Sequence, residues 1–240
     1  MLNNISLSSI VFIDVETASL YPSYKDLTQT EQALWDSKSK RLQQEGETPE
    51  KLYEKAGIYS EFSKVICISV GYIYNNSKTD SCAIKIKSVF DNEESALLTN
   101  FIKLLNAFDK AGRHILCAHN GKEFDFPFLA RRILINRLEL PEALNIAGKK
   151  PWEISHLDTM SLWKFGDYKH YTSLTLLANS FGISNPKEDM SGSDVGRVYW
   201  EDKNLKKIIQ YCQKDVLTVA QLLLCFMGKP TIDKKDVTFV

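Results

Sequence analysis

The stretch "SSIVFIDVET", residues 8–17, runs through β-branched and apolar side chains and then breaks into Asp14, one apolar residue, and Glu16. In a strand, side chains two apart face the same way, so the two acids project from one face. The run reads as a first strand, central to a sheet, with both carboxylates at its C-terminal end. Burying a carboxylate is costly unless something pairs with it. Either the strand ends in a solvated turn, or the site expects a cation.

Working outward, residues 25–56 ("DLTQTEQALWDSKSKRLQQEGETPEKLYEKA") are polar and helix-prone, and about thirty such residues bury little on their own. Residues 21–63 therefore read as a helical insertion in a single domain spanning 1–240. "KVICISVGYIY" (64–74) and "SCAIKIKSVF" (81–90) flank the turn-rich "NNSKTD" and predict a hairpin. Leu97, Leu98, Phe101, Leu104, Leu105 and Phe108 then repeat at helical spacing up to a stop at Gly112. "RHILCAH" (113–119) predicts a buried strand, "FPFLARRILINRL" (126–138) a helix, and "EISHLDTM" (153–160) a last short strand. Hairpin strands followed by strand–helix alternation argue for one α/β domain with a mixed sheet covered by helices.

The composition limits what this domain can be. Of 240 residues, 44% are hydrophobic, enough for one sizeable core, and 30 basic side chains balance 30 acidic ones. Bulk charge does not attract nucleic acid here, so any polyanion must be gripped locally or through metal ions. Cys67, Cys82, Cys117, Cys212 and Cys225 form no C-x-x-C and lie in or beside apolar runs, which reads as buried free thiols. The opening residues lack a basic n-region, and no run approaches the ~20 apolar residues of a membrane helix. A soluble, cytoplasmic protein without membrane contact is expected.

Two more acids stand at element ends. In "CAHNGKEFDFPFL", Asp125 follows a strand exit and Pro127 suits a first helical turn, so Asp125 reads equally as a helix cap or as a ligand. In "NLKKIIQYCQKDVLTVAQLLLC", Tyr211 and Asp215 are one turn apart at the edge of an apolar stripe, half-buried. Brought together, Asp14, Glu16, Asp125 and Asp215 would repel strongly, and protonation or a cation must relieve this. Oxygen donors suit Mg²⁺ or Mn²⁺ rather than zinc. Two such ions ~3.5–4 Å apart clamp the attacking and leaving oxygens of a phosphoryl displacement.

"FIDVET", "HNGKEFDFP" and "YCQKD" resemble the three motifs of the DEDD 3′–5′ exonuclease superfamily. Tyr211, four residues before Asp215, matches the tyrosine subtype; the histidine subtype would need His where Gln210 stands. From about residue 9 to 227 the chain further resembles bacterial stand-alone exonucleases related to the proofreading domain of family-B DNA polymerases. The resemblance implies an RNase H-like mixed sheet of about five strands in the order 3-2-1-4-5, flanked by helices. It implies two Mg²⁺ or Mn²⁺ ions on Asp14, Glu16, Asp125 and Asp215, with Asp14 shared and Tyr211 orienting the attacking water. The implied reaction is stepwise hydrolysis at the 3′ end of single-stranded DNA or RNA, DNA favoured, releasing nucleoside 5′-monophosphates. A binding module with the same fold but no turnover is the rival reading.

Lesser candidates lie around these motifs, most with an ordinary alternative. Thr17 is a contact to the terminal nucleotide or a strand-end hydroxyl. Asn120 is a contact to the scissile nucleotide's backbone. Phe124 is a base-stacking ring or core packing. Asp158 reads as a helix N-cap, His119 as structural, and Arg131–Arg132, Lys149–Lys150 and Lys206–Lys207 as mostly solvated helix faces. The loop "NPKEDMSGSD" (185–194), with Lys187, is a candidate cover for the single strand.

Overall fold

The computed structural model describes residues 5–76, 81–167, 171–183 and 190–240. Six strands form one mixed sheet: β1 (Ile10–Ser19), β2 (Ser63–Asn76), β3 (Ser81–Phe90), β4 (Ile115–Ala118), β5 (Leu157–Asp158) and β6 (Val237–Phe239). They pair in the order β5-β4-β1-β2-β3-β6. The hairpin strands β2 and β3 are antiparallel to each other and β2 to β1, while β4, β5 and β6 join in parallel. The expected five-strand order is present, and β6 is an addition. It lies against Ile84–Ile86 of β3, too short for its own alternation to announce a strand.

Alternation along β1 sorts the two layers of the core. Val11, Ile13 and Val15 face α3 (Glu94–Lys110) and α4 (Asp125–Ile135). Ile10 and Phe12 face α6 (Leu174–Ser180) and the long α8 (Leu205–Phe226). Asp14 and Glu16 share parity with Ile10 and Phe12, so the acids lie on the α8 side of the sheet. The helix comes close there because Gly71 of β2 has no side chain. A Cβ at Gly71 would stand 2.9 Å from Val216 Cγ1. α3 ends at Lys110, and Gly112 follows in the left-handed conformation, at φ +79°, that glycine adopts without strain.

Between β1 and β2 the chain forms α1 (Gln29–Ser39), α2 (Pro49–Leu52) and a 3₁₀ turn (Tyr53–Ile58). This segment buries more than its composition suggests. Trp35 is fully enclosed, its indole donates to the Pro49 carbonyl at 2.8 Å, and Tyr53, Tyr59 and Phe62 meet it edge-on. Aromatic edge-to-face packing concentrates apolar area in few residues, which a count of polar positions misses.

Two other expectations are corrected. Cys67, Cys117 and Cys212 are buried thiols, but Cys82 is exposed and Cys225 only partly covered. Cys82 lies beside Met227 and Lys229, where α8 has already ended and no longer covers β3. Arg132 is buried rather than solvated, held by Glu94. Among the described residues no helix is long and apolar enough to cross a membrane.

Candidate active site

β4 pairs with β1 only as far as Phe12 and stops at Ala118. Beyond that point β1 continues without a neighbour on this side, and its backbone N–H groups need other acceptors. The Val15 N–H donates to the carboxylate of Asp125. Asp125 is the first residue of α4; the N-cap is Phe124, which makes no side-chain cap. The acid therefore does not cap its helix but reaches across to the open edge of β1. On the other side, the β1–β2 register slips between Glu16 and Thr17, leaving Ile66 as an extra residue opposite the acids. Such bulges bend a strand and re-aim its side chains.

α8 supplies the remaining groups. Tyr211 and Asp215 are both buried, deeper than the half-burial expected at the stripe's edge. The cover comes from α7 (Val195–Trp200), whose Val195 and Val198 pack with Met190, Ile208, Tyr211 and Cys212. The Tyr211 hydroxyl donates to Asp215. Glu16, Asp125 and Asp215 are each about 95% enclosed, so the carboxylates interact with little screening. Burial pushes Glu16 well above the usual carboxylate range, and repulsion from Asp14, Asp215 and Asp125 pushes it further. Asp125 is likewise raised by burial and then by Asp14. The Tyr211 phenol is driven up by burial and by the charges of Asp215, Glu16 and Asp14, so it stays protonated and serves as a donor, not a base. The four acids and the tyrosine thus feel one another's charge around the end of β1.

Cys212 is a neighbour that spacing did not reveal. Its sulfur and oxygens of Asp14 and Glu16 fall within 4.8 Å of one another. The thiol donates to the Asp14 carbonyl at 3.3 Å, and burial raises it well above its ordinary value. A protonated thiol is a poor ligand, and the surrounding donors are hard oxygens. Cys212 therefore braces β1, and the carboxylates are the groups fit for a divalent cation. Their buried, mutually raised charges are the condition that such a cation would relieve.

The loop ahead of α4 is fixed from below by Asp158. Its carboxylate accepts from Asn120 N, Lys122 N, Met160 N and Ser161 N at 2.9–3.2 Å. It caps α5 (Thr159–Lys164), as its position in the sequence suggests, and also ties down the turn that carries Asp125. His119 is structural, bridging Thr159 Oγ1 and the Thr172 carbonyl. Gly121 sits so tightly that a Cβ would lie 2.5 Å from that of Ala118 and 2.9 Å from Phe126 Cζ. Gly121→Ala is expected to cost about 1–3 kcal/mol by overpacking, measured by urea denaturation against wild type.

Thr17 donates to the Gly57 carbonyl at 2.7 Å and so clasps the inserted segment to the strand end. Asn120 holds a left-handed backbone, at φ +64°. Phe124 is half-buried, tilted against Phe128 at 5.2 Å. Lys187 and residues 185–189 of the candidate covering loop lie outside the described residues; of the rest, Met190 is buried and Gly192–Asp194 forms a 3₁₀ turn.

The sequence profile of the RNase H superfamily matches residues 52–225, well over half of the chain. The chain belongs to the RNase H superfamily. The matched part contains Asp125, Tyr211 and Asp215, while Asp14 and Glu16 precede it. This RNase H superfamily chain also superposes on the family B DNA polymerase from the hyperthermophilic archaeon Pyrobaculum calidifontis, with a TM-score of 0.54 over 91% of its length. Sequence identity is 14%, and the match covers 24% of the polymerase, so the chain spans about a quarter of that protein. At this identity the likeness speaks for the fold alone.

Proposed function

We propose that this chain is a metal-dependent 3′–5′ exonuclease of the tyrosine-type DEDD class. It acts as one domain, with residues 21–63 inserted, on the 3′ ends of single-stranded nucleic acid. The observation that carries the reading is the buried carboxylate set from the end of β1, the start of α4 and the middle of α8, whose members raise one another's proton affinity. Asp14, Glu16, Asp125 and Asp215 would hold two Mg²⁺ or Mn²⁺ ions. When bound, such ions supply positive charge to the scissile phosphate and acidify water for attack.

The side chains do the rest. Asp14 bears on both Glu16 and Asp125 and is the natural shared ligand. Tyr211, protonated and beside Asp215, would orient the attacking water by hydrogen bonding. Asp158 and Gly121 keep the turn before α4 in place, so that Asp125 holds its geometry. Thr17 beside Glu16, and Asn120 and Phe124 in the turn before Asp125, are the proposed contacts to the last nucleotide.

The test is a gel assay with 5′-labelled single-stranded DNA and RNA in Mg²⁺, Mn²⁺ or chelator. A ladder shortening one nucleotide at a time, dependent on metal, is expected, with DNA cut faster. Retention of the strand without shortening, even in Mn²⁺, would instead identify a binding module.

A further inference from the structure

Tyr171 is a large aromatic ring left two-thirds exposed, yet it is not free to swing. The carbonyl of the next residue, Thr172, is hydrogen-bonded to His119 Nε2 at 3.0 Å, which fixes this stretch against the turn before α4. One face of the ring is covered by the Lys164 ammonium, 5.8 Å from the centroid. Lys164 is itself mostly buried and anchored by Glu123 at 3.7 Å. The ring is thus anchored through the neighbouring backbone and backed on one side by a cation paired with Glu123, while solvent reaches it from elsewhere. Holding an aromatic in place before a partner arrives removes ordering cost from binding.

Its position matters as much as its exposure. Asn120 belongs to the turn whose N–H groups are pinned by Asp158, and five residues later that turn delivers Asp125. His119 and Glu123, which hold the Tyr171 stretch through Thr172 and Lys164, both lie in the segment that leads from β4 to Asp125, so the ring stands at the rim of the turn that delivers this acid. The Lys164–Glu123 pair is electrically neutral, so this rim offers a π-face rather than net positive charge. That chemistry suits an unstacked base, since every base presents a π-face and stacking on aromatics tolerates sequence.

We propose that Tyr171, backed by Lys164, is a stacking platform for an unpaired base of the single strand entering the active site. The proposal rests on the exonuclease reading for the identity of the ligand, but its test does not require turnover.

A 5′-fluorescein oligothymidylate of about sixteen nucleotides, titrated in chelator and read by anisotropy, measures binding alone. Tyr171→Ala is expected to raise the Kd about tenfold, within the range of one lost base–aromatic stack. Tyr171→Phe, which keeps the ring, should bind like wild type. The ratio of variant to wild-type Kd should change little between low and moderate salt, because no phosphate contact is removed. In a series of strands carrying one 2-aminopurine at successive positions from the 3′ end, one position should be quenched by wild type and not by Tyr171→Ala. Unchanged affinity and unchanged quenching in Tyr171→Ala overturn the platform, whether or not the wild-type protein shortens the strand. If wild type binds but fails to shorten the strand while Tyr171→Ala still loses affinity and quenching, the platform stands and the exonuclease reading falls. Since the ring is exposed, Tyr171→Ala should melt with wild type, which separates lost stacking from lost folding.

Discussion

Asp14→Ala and Asp215→Asn are each expected to slow release of 3′ mononucleotides by on the order of 10³-fold or more, with the fold retained. Asp14 has the larger claim because its charge bears on Glu16, Asp125, Tyr211 and Cys212 alike. Tyr211→Phe should cost less, since it removes one oriented hydroxyl and leaves every carboxylate in place. Wild-type shortening by Asp14→Ala would falsify the assignment. Asp14→Asn should act on stability with the opposite sign. Glu16 and Asp125 are raised above their unfolded values, so the folded state favours their protonated forms. Their contribution is fully present below about pH 4 and is lost as pH rises through the folded values. Asp14→Asn relieves that repulsion. In chelator it should melt above wild type, by a margin that grows from pH 5 to pH 8, as read by differential scanning fluorimetry. Adding Mn²⁺ at pH 8 should reverse the order, since a ligand at a hundred times its Kd stabilises by about 2.7 kcal/mol and the variant would bind it poorly.

This pairing of poor stability with activity explains which parts of the site could be read in advance. Carboxylates at a strand end, a strand exit and a helical stripe edge are local departures from good burial, and a sequence displays such departures directly. The strand alternation that put Asp14 and Glu16 on one face, and the helical spacing that put Tyr211 near Asp215, needed no partner to be known. Cys212 escaped because a thiol on an apolar stripe is indistinguishable from ordinary core until the strand it braces is known. Tyr171 escaped for the opposite reason: an aromatic in a polar stretch carries no period, and only the turn around Asn120 gives it a place. β6 has three residues, fewer than alternation needs to register. Arg132 did leave a signal. It stands four residues after Phe128 and three after Leu129, on the buried stripe of α4, where a solvated arginine does not belong.

Arg132→Ala and Glu94→Ala should each destabilise the protein by about 3–5 kcal/mol, the usual consequence of leaving one member of a buried ion pair alone. For a chain of this size that lowers the melting temperature by roughly 10–15 °C. Arg132 donates through Nε to Glu94 Oε1 at 2.8 Å, through Nη2 to Oε2, and through Nη1 to the Ser60 carbonyl at 2.7 Å. Glu94 also accepts from the Val65 backbone at 2.8 Å and from Asn136 at 3.1 Å. The pair therefore fastens α3 and α4 to the end of the inserted segment and to the start of β2. Val65 lies opposite Thr17, one residue from the bulge beside Glu16, so slack here reaches the acids. Arg132→Lys is the informative variant. It keeps the charge but cannot present a fork to Glu94 and a third donor to Ser60 at once, and a lysine there should lose most of the stability that alanine loses. Replacing both residues by apolar ones, Arg132→Met with Glu94→Leu, removes the stranded charge and should recover much of the loss. The recovery will be incomplete, because Ser60 and Val65 keep buried backbone groups that then have no side chain to bond. A double-mutant cycle by urea denaturation measures the coupling. A coupling near zero, or an Arg132→Lys protein that melts with wild type, would mean that the helices are held by their apolar contacts alone.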